Sequence, residues 1–225
     1  VQTCALPIYK PEMIVALSEF EALCGFRSVE YVRELLEDIQ SYPAAEDLKA
    51  AAEQWAALID DSLQSLVSHL LHSRAGFGVL SVALAALANF DGRFELAHRL
   101  NELYPGDPGV FIAMMMHHVH LQPGQALFLP AGNIHAYLSG LGVEVMAASD
   151  NVLRGGLTPK HIDVPELLAV ADDRSALRAV LRGFMIGDSE NLRARLPLHQ
   201  VDGAAQDEAV IDGDRLASTI GIAPG

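Results

Sequence analysis

The chain has 225 residues, 51% hydrophobic and 20% charged, a balance that supports a folded core and excludes an intrinsically disordered chain. Fifteen Lys and Arg against twenty-nine Asp and Glu give a formal charge of -14, with no basic cluster to neutralise a run of phosphates, so nucleic acid is excluded as a partner. No stretch reaches the ~18 consecutive apolar residues of a spanning helix and the acidic balance disfavours anionic lipid, so no membrane partner is expected and the chain reads as soluble.

Two cysteines, Cys4 and Cys24, are too few for a disulfide framework, which points to a reducing, cytoplasmic setting. The opening VQTCALPI has neither the basic region nor the long apolar run of a secretory signal. It also lacks a starting methionine, and an incomplete chain is expected.

In chain order, the short MIVAL run after Lys10-Pro11-Glu12-Met13 reads as a buried strand. From Ser28 to about Pro105 the pattern is helical. Leu35, Leu36 and Ile39 share one face of SVEYVRELLEDIQSY, which Pro43 ends. Trp55, Leu58, Ile59, Ser62, Leu66 and Leu70 follow the spacing of a second amphipathic helix. GVLSVALAALANF is apolar nearly all round, so burial between other elements is expected, and FELAHRLNELY stops at Tyr104-Pro105-Gly106. After Pro105 the turn signals PGDPGV, QPGQ, PAGN and LSGLG separate short apolar runs such as ALFL and VEVM, the pattern of a β-sandwich or barrel. Beyond Asp163 lie one more helical stretch, PELLAVADDRSALRAVLRGF, and an acidic tail.

The most informative piece runs from Gly124 to His135. It reads as a strand, a tight turn at Pro130-Ala131-Gly132, and a second strand that opens with a histidine at the mouth of the β-structure. There an imidazole can meet a metal that keeps an open position for substrate. A lone histidine is more often structural. Its spacing resembles the second motif of the cupins, small jelly-roll barrels, through Gly124, Pro130, Gly132 and His135, with Ser139 in place of the final Asn.

The following segment, Ala136-Tyr137-Leu138-Ser139-Gly140 and then Val143 to Lys160, resembles the signature region of the type I mannose-6-phosphate isomerases. Lys10 to Met13, Ala22 to Arg27 and Tyr104 to Gly109 resemble the same family, in the same order. The resemblance implies a mixed, mainly β fold: a cupin jelly roll interrupted by an inserted α-helical domain, with an incomplete C-terminal β domain. Residues 1–27 and 106–162 would form the catalytic cupin domain, 28–105 the helical domain, and 163–225 the truncated start of the C-terminal one.

It also implies zinc. The family holds Zn2+ with a Gln-x-His pair, a glutamate and a histidine, and the last two carry over to Glu12 and His135. The Gln-x-His pair is absent here. The histidine that precedes the motif lysine is Tyr9 in this chain, and residues 1–9 or so are read as foreign to the family. Lys10 and Arg154 carry over as catalytic candidates, Lys10 for proton transfer and Arg154 for charge on the enediol oxygens. Lys160 and Asp150 are candidates for substrate binding. Each has a plain alternative as a solvated loop charge or turn cap. The implied substrate is a sugar phosphate, and local cations would hold it despite the net negative charge.

His118 and His120 share one face of a strand, a spacing metal sites use. Val119 and Leu121 look core-facing, which turns both histidines to solvent and favours a structural reading. Two rivals to a zinc isomerase follow: a non-catalytic sugar-phosphate-binding module, and an iron dioxygenase built on His118, His120 and His135.

Overall fold

The structure, a computed structural model, describes residues 10–59, 62–73, 77–148, 153–158, 162–170, 180–181 and 198–199. They fall into two compact units. One draws on Val1–Gly25, His118–Asn151 and Leu177–Gly225, the other on Phe26–His117 and Val152–Ala176.

The first unit is built on strands: β1 (Glu12–Ala16), β2 (Phe20–Phe26), β3 (Met116–Leu121), β4 (Ala126–Leu129), β5 (His135–Ser139), β6 (Gly142–Met146), β7 (Val180–Leu181) and β8 (Leu198–His199). One sheet has the order β6-β1-β4-β7-β8, the other β3-β2-β5. β1 runs antiparallel to β4 and β6, and β2 antiparallel to β5. Alternate residues of both sheets meet in one apolar core of Ile14 and Ala16, Phe20, Ala22 and Cys24, Val119 and Leu121, and Leu127 and Leu129. All five residues of β1 are buried, which is why it reads as an unbroken apolar run after Glu12. The alternation expected of β3 holds: Val119 and Leu121 are core residues, while His118 is half-buried and His120 exposed.

The second unit is helical: α1 (Val29–Ser41), α2 (Glu46–Ala56), α3 (Gln64–His72), α4 (Phe77–Ala86), α5 (Glu95–Leu103), α6 (Gly109–Met114) and α7 (Val164–Val170). Ser28 caps α1, its Oγ accepting from Tyr31 N at 3.2 Å. Val32, Leu35, Leu36 and Ile39 are its buried face. Trp55, Phe77 and Phe111 form an aromatic cluster with ring centroids 4.5 to 5.9 Å apart.

Several expectations are corrected here. Among the described residues more lie in helices than in strands, so "mixed" holds and "mainly β" does not. Part of the excess is α6, in a stretch expected to be strand. Its six apolar residues are all buried, and a run that short shows no period by which helix and strand differ. The single helix expected from Trp55 to Leu70 is two. α2 ends in tightening turns, Leu58 N to Trp55 O and Ile59 N to Ala56 O, and α3 starts afresh at Gln64. Nor is α4 buried all round: Val79 and Val82 are exposed, while Ser81 is buried. The serine is inside because it has polar work there, donating to Gly78 O and accepting from Gly106 N at the turn after α5.

Candidate metal centre

Three strands of the first unit bring acid and imidazole together. Glu12 opens β1 with the parity of Ile14 and Ala16, so its side chain points to the inner, core face. His135 opens β5 directly opposite Cys24, another core residue, and therefore faces inward too. The turn before it delivers the ring. Asn133 N closes on Pro130 O, and Gly132 sits at φ 81°, a conformation glycine adopts without penalty. Glu144 on β6 pairs with Ile14 and comes within 4.8 Å of both, ligand atom to ligand atom.

Glu12 is 7% exposed, and a carboxylate so placed needs partners. Lys10 Nζ lies 3.0 Å from one oxygen and His135 Nε2 3.1 Å from the other. The hydrogen bond from His135, aided by Lys10 against the opposing cost of burial, holds the Glu12 carboxyl down at about 2. Burial works against charging His135, but the hydrogen bonds to Glu12 and to the Asn133 carbonyl outweigh it and raise the imidazole above its ordinary value. His135 Nδ1–H donates to Asn133 O at 3.0 Å, which fixes the ring and reserves Nε2 for the inner face.

The donor set suits a divalent metal such as zinc. It offers one imidazole nitrogen with its other nitrogen already committed to a backbone carbonyl, one buried carboxylate, and a second carboxylate within reach. Tyr137 completes the surroundings, its hydroxyl donating to Glu144 Oε1 at 2.7 Å. Burial, then that hydrogen bond, push the phenol well above its ordinary range. Cys24 is a buried free thiol that donates to Asn133 Oδ1 at 3.3 Å, and burial pushes it up to about 12, so it stays an inert thiol beside the centre.

Of the residues singled out in the sequence, Lys10, Glu12 and His135 thus converge. Glu144 and Tyr137 were not singled out as site residues; the signal for Glu144 is a lone acid among the valines of β6 with the parity of an inward position. Arg154 belongs to the other unit, in the segment 153–158. That segment has its own anchor: Asp107 Oδ1 accepts from Gly109 N at 2.7 Å and from Leu157 N at 3.2 Å. A Cβ on Gly156 would stand 2.8 Å from Gly109 Cα, so the Arg-Gly-Gly-Leu and Pro-Gly-Asp-Pro-Gly pieces need each other's glycines. Lys160, Asp150, Cys4 and Tyr9 lie outside the described residues. The three-histidine arrangement fails on geometry, since His118 and His120 alternate with core residues and face the side of β3-β2-β5 away from His135.

An imidazole and carboxylates gathered on the core face of paired antiparallel sheets are the donor types with which zinc enzymes hold their metal, and they make this a candidate metal centre. No family model matches the chain. Among curated proteins it is 41% identical to the mannose-6-phosphate isomerase of Homo sapiens over 71% of its own length, and 38% identical to that of Escherichia coli strain K12 over 72%. Among solved structures, a point variant of phosphomannose isomerase from Salmonella typhimurium superposes with a TM-score of 0.68 at 32% identity, covering 84% of this chain and 47% of the other. A zinc-bound mannose 6-phosphate isomerase superposes with a TM-score of 0.64 at 34% identity over 74% of this chain and 42% of the other. The chain is therefore a homologue of the mannose-6-phosphate isomerases, as its motifs imply, and spans about two fifths of the length of the curated relatives it matches.

Proposed function

We propose that this chain carries part of the active site of a zinc-dependent mannose-6-phosphate isomerase, which interconverts mannose 6-phosphate and fructose 6-phosphate. The supporting observation is the convergence of Glu12 and His135, 123 positions apart in the sequence, to 3.1 Å. In this reading residues 1–27 and 106–162 form the catalytic cupin jelly roll, 28–105 its helical insertion, and residues from 163 onward begin a C-terminal β domain. The setting is cytoplasmic.

Glu12 and His135 would hold the zinc, with Glu144 within reach of the same ion. Zinc, when bound, supplies a Lewis acid that stabilises negative charge developing on the sugar oxygens. The isomerisation takes the proton from C2 of the aldose and returns one to C1, while a hydroxyl proton passes from O2 to O1. Lys10, beside the carboxylate ligand, is assigned the transfer between the carbons. Arg154 is assigned to the enediol oxygens and Lys160 and Asp150 to the substrate, from their places in the motif. The family's Gln-x-His pair has no match in this sequence, and among the described residues Glu12, His135 and Glu144 are the ligands gathered at this centre.

A second reading, a sugar-phosphate-binding module without catalysis, draws on the way Lys10 and His135 alone already satisfy Glu12. Calorimetric titration with zinc and then with mannose 6-phosphate, followed by an isomerase assay, separates the two. The isomerase reading expects zinc-dependent turnover that Glu12→Gln and His135→Ala both abolish. Sugar binding that is indifferent to zinc, without turnover, would overturn it in favour of the module.

A further inference from the structure

The outer face of the β3-β2-β5 sheet holds a second cluster with metal-binding chemistry. His118 and His120 project from the same side of β3, because Val119 and Leu121 between and after them are in the core. Glu21, on the neighbouring β2, alternates with Phe20 and Ala22 of that core and so joins the histidines on the outer side. One ligand atom from each of the three lies within 4.8 Å of the others. The His118 and His120 rings are 4.4 Å apart between centroids, and His118 Nε2–H donates to Glu21 Oε1 at 2.6 Å.

The carboxylate is held in place from behind. Pairing between β2 and β5 slips at this point: Ala22 faces Tyr137 but Glu21 faces Ser139, so Leu138 is bulged out. The bulge brings Ser139 Oγ to Glu21, where it donates to Oε2 at 3.2 Å. Glu21 is 7% exposed although it stands on the outer side, whereas His120 is open to solvent. Glu21, His120 and Ser139 also line a groove of about 390 Å3, room for solvent ligands.

We infer that Glu21, His118 and His120 form a second divalent-metal site, independent of the centre at Glu12 and His135. Two imidazoles and one carboxylate select a borderline transition ion, Zn2+ or Co2+, over the hard oxygen-seeking Mg2+ and Ca2+. Binding displaces the proton on His118 Nε2 to solvent, leaves Glu21 ionised as a ligand, and completes the coordination shell with water from the groove. Ser139 is a positioning residue that orients the Glu21 carboxylate.

Cobalt(II) titration of the intact chain tests this, by dialysis stoichiometry and visible absorption, with far-UV circular dichroism reporting the fold. The wild type takes up two equivalents, and His120→Ala, a change at an exposed side chain, takes up one fewer with the circular dichroism unchanged. Ser139→Ala keeps the stoichiometry and weakens the second site by about tenfold. His135→Ala loses the other equivalent only. If the isomerase centre does not bind metal, the wild type takes up one equivalent and His120→Ala none, and the second site stands. Equal uptake by wild type and His120→Ala overturns it.

Discussion

The two faces of the β3-β2-β5 sheet both set imidazole beside carboxylate, and the surroundings give the pairs different properties. On the inner face Glu12 and His135 adjoin the apolar core, with Lys10 as a third charge and the Asn133 carbonyl behind the ring. On the outer face His118 and His120 meet Glu21 at the edge of an open groove, with a serine behind the carboxylate. Glu12 and Glu21 are equally buried, so both carboxylates must be compensated locally; the inner pair differs in carrying Lys10 as a third, largely enclosed charge. The outer cluster can lose the exposed His120 and still keep Glu21 paired with His118. The same side-chain chemistry adjoins the apolar core or an open groove according to which face its strand parity selects.

The sharpest way to break this comparison is Glu12→Gln. It leaves the largely enclosed Lys10 without a carboxylate and removes a proposed metal ligand, so we expect a loss of about 3 kcal/mol in urea unfolding together with loss of zinc uptake at the inner site. Unchanged stability would mean the inner pair is no more demanding than the outer one. Next comes Leu127→Ala, in the core between the two sheets. About 3 kcal/mol is expected from its cavity, with the metal stoichiometry intact in whatever fraction stays folded.

The pH dependence of the metal-free protein sharpens the contrast. Glu12 has its folded-state value depressed from 4.5 to about 2, so its contribution is full above 4.5 and disappears as the pH falls toward 2. His135 is raised above 6.5, so its contribution is present below 6.5 and lost as the pH climbs through the higher folded value. Urea midpoints should decline at both ends, and Glu12→Gln should flatten both limbs, since each group is the other's partner. Persistence of the limbs in that variant would assign them to other groups. The smallest effect expected is Ser28→Ala, in the helical unit: about 1 kcal/mol from the lost α1 cap, with metal binding by either cluster unaltered.

Much of the inner centre was legible before any coordinates. The turn Pro130-Ala131-Gly132 before His135 announces itself because a positive-φ glycine acts locally, whatever surrounds it, whereas Lys10 and Glu12 stand out only through the resemblance of their Lys-Pro-Glu piece to the family motif. The parity of β3 was readable for the same reason, since side chains alternate along any strand. Glu144 and Glu21 were not readable as site members. Each is an ordinary acid in its own segment, and what recruits it is the pairing of β6 with β1, or of β2 with β3, across long stretches of chain. The break between α2 and α3 and the inward turn of Ser81 were hidden too, because a three-and-four spacing runs on unchanged through a bend.

From its own amino acids this protein has its short-range features: where strands begin and turn, which face of α1 is apolar, and the glycine the Pro130 turn requires. These depend on φ, ψ and side-chain periodicity over a few residues. Tertiary structure alone decided that residues 12, 135 and 144 share one inner site while 21, 118 and 120 share an outer one. Strand order and a single bulge set those groupings, and both are fixed by pairing between segments far apart in the sequence.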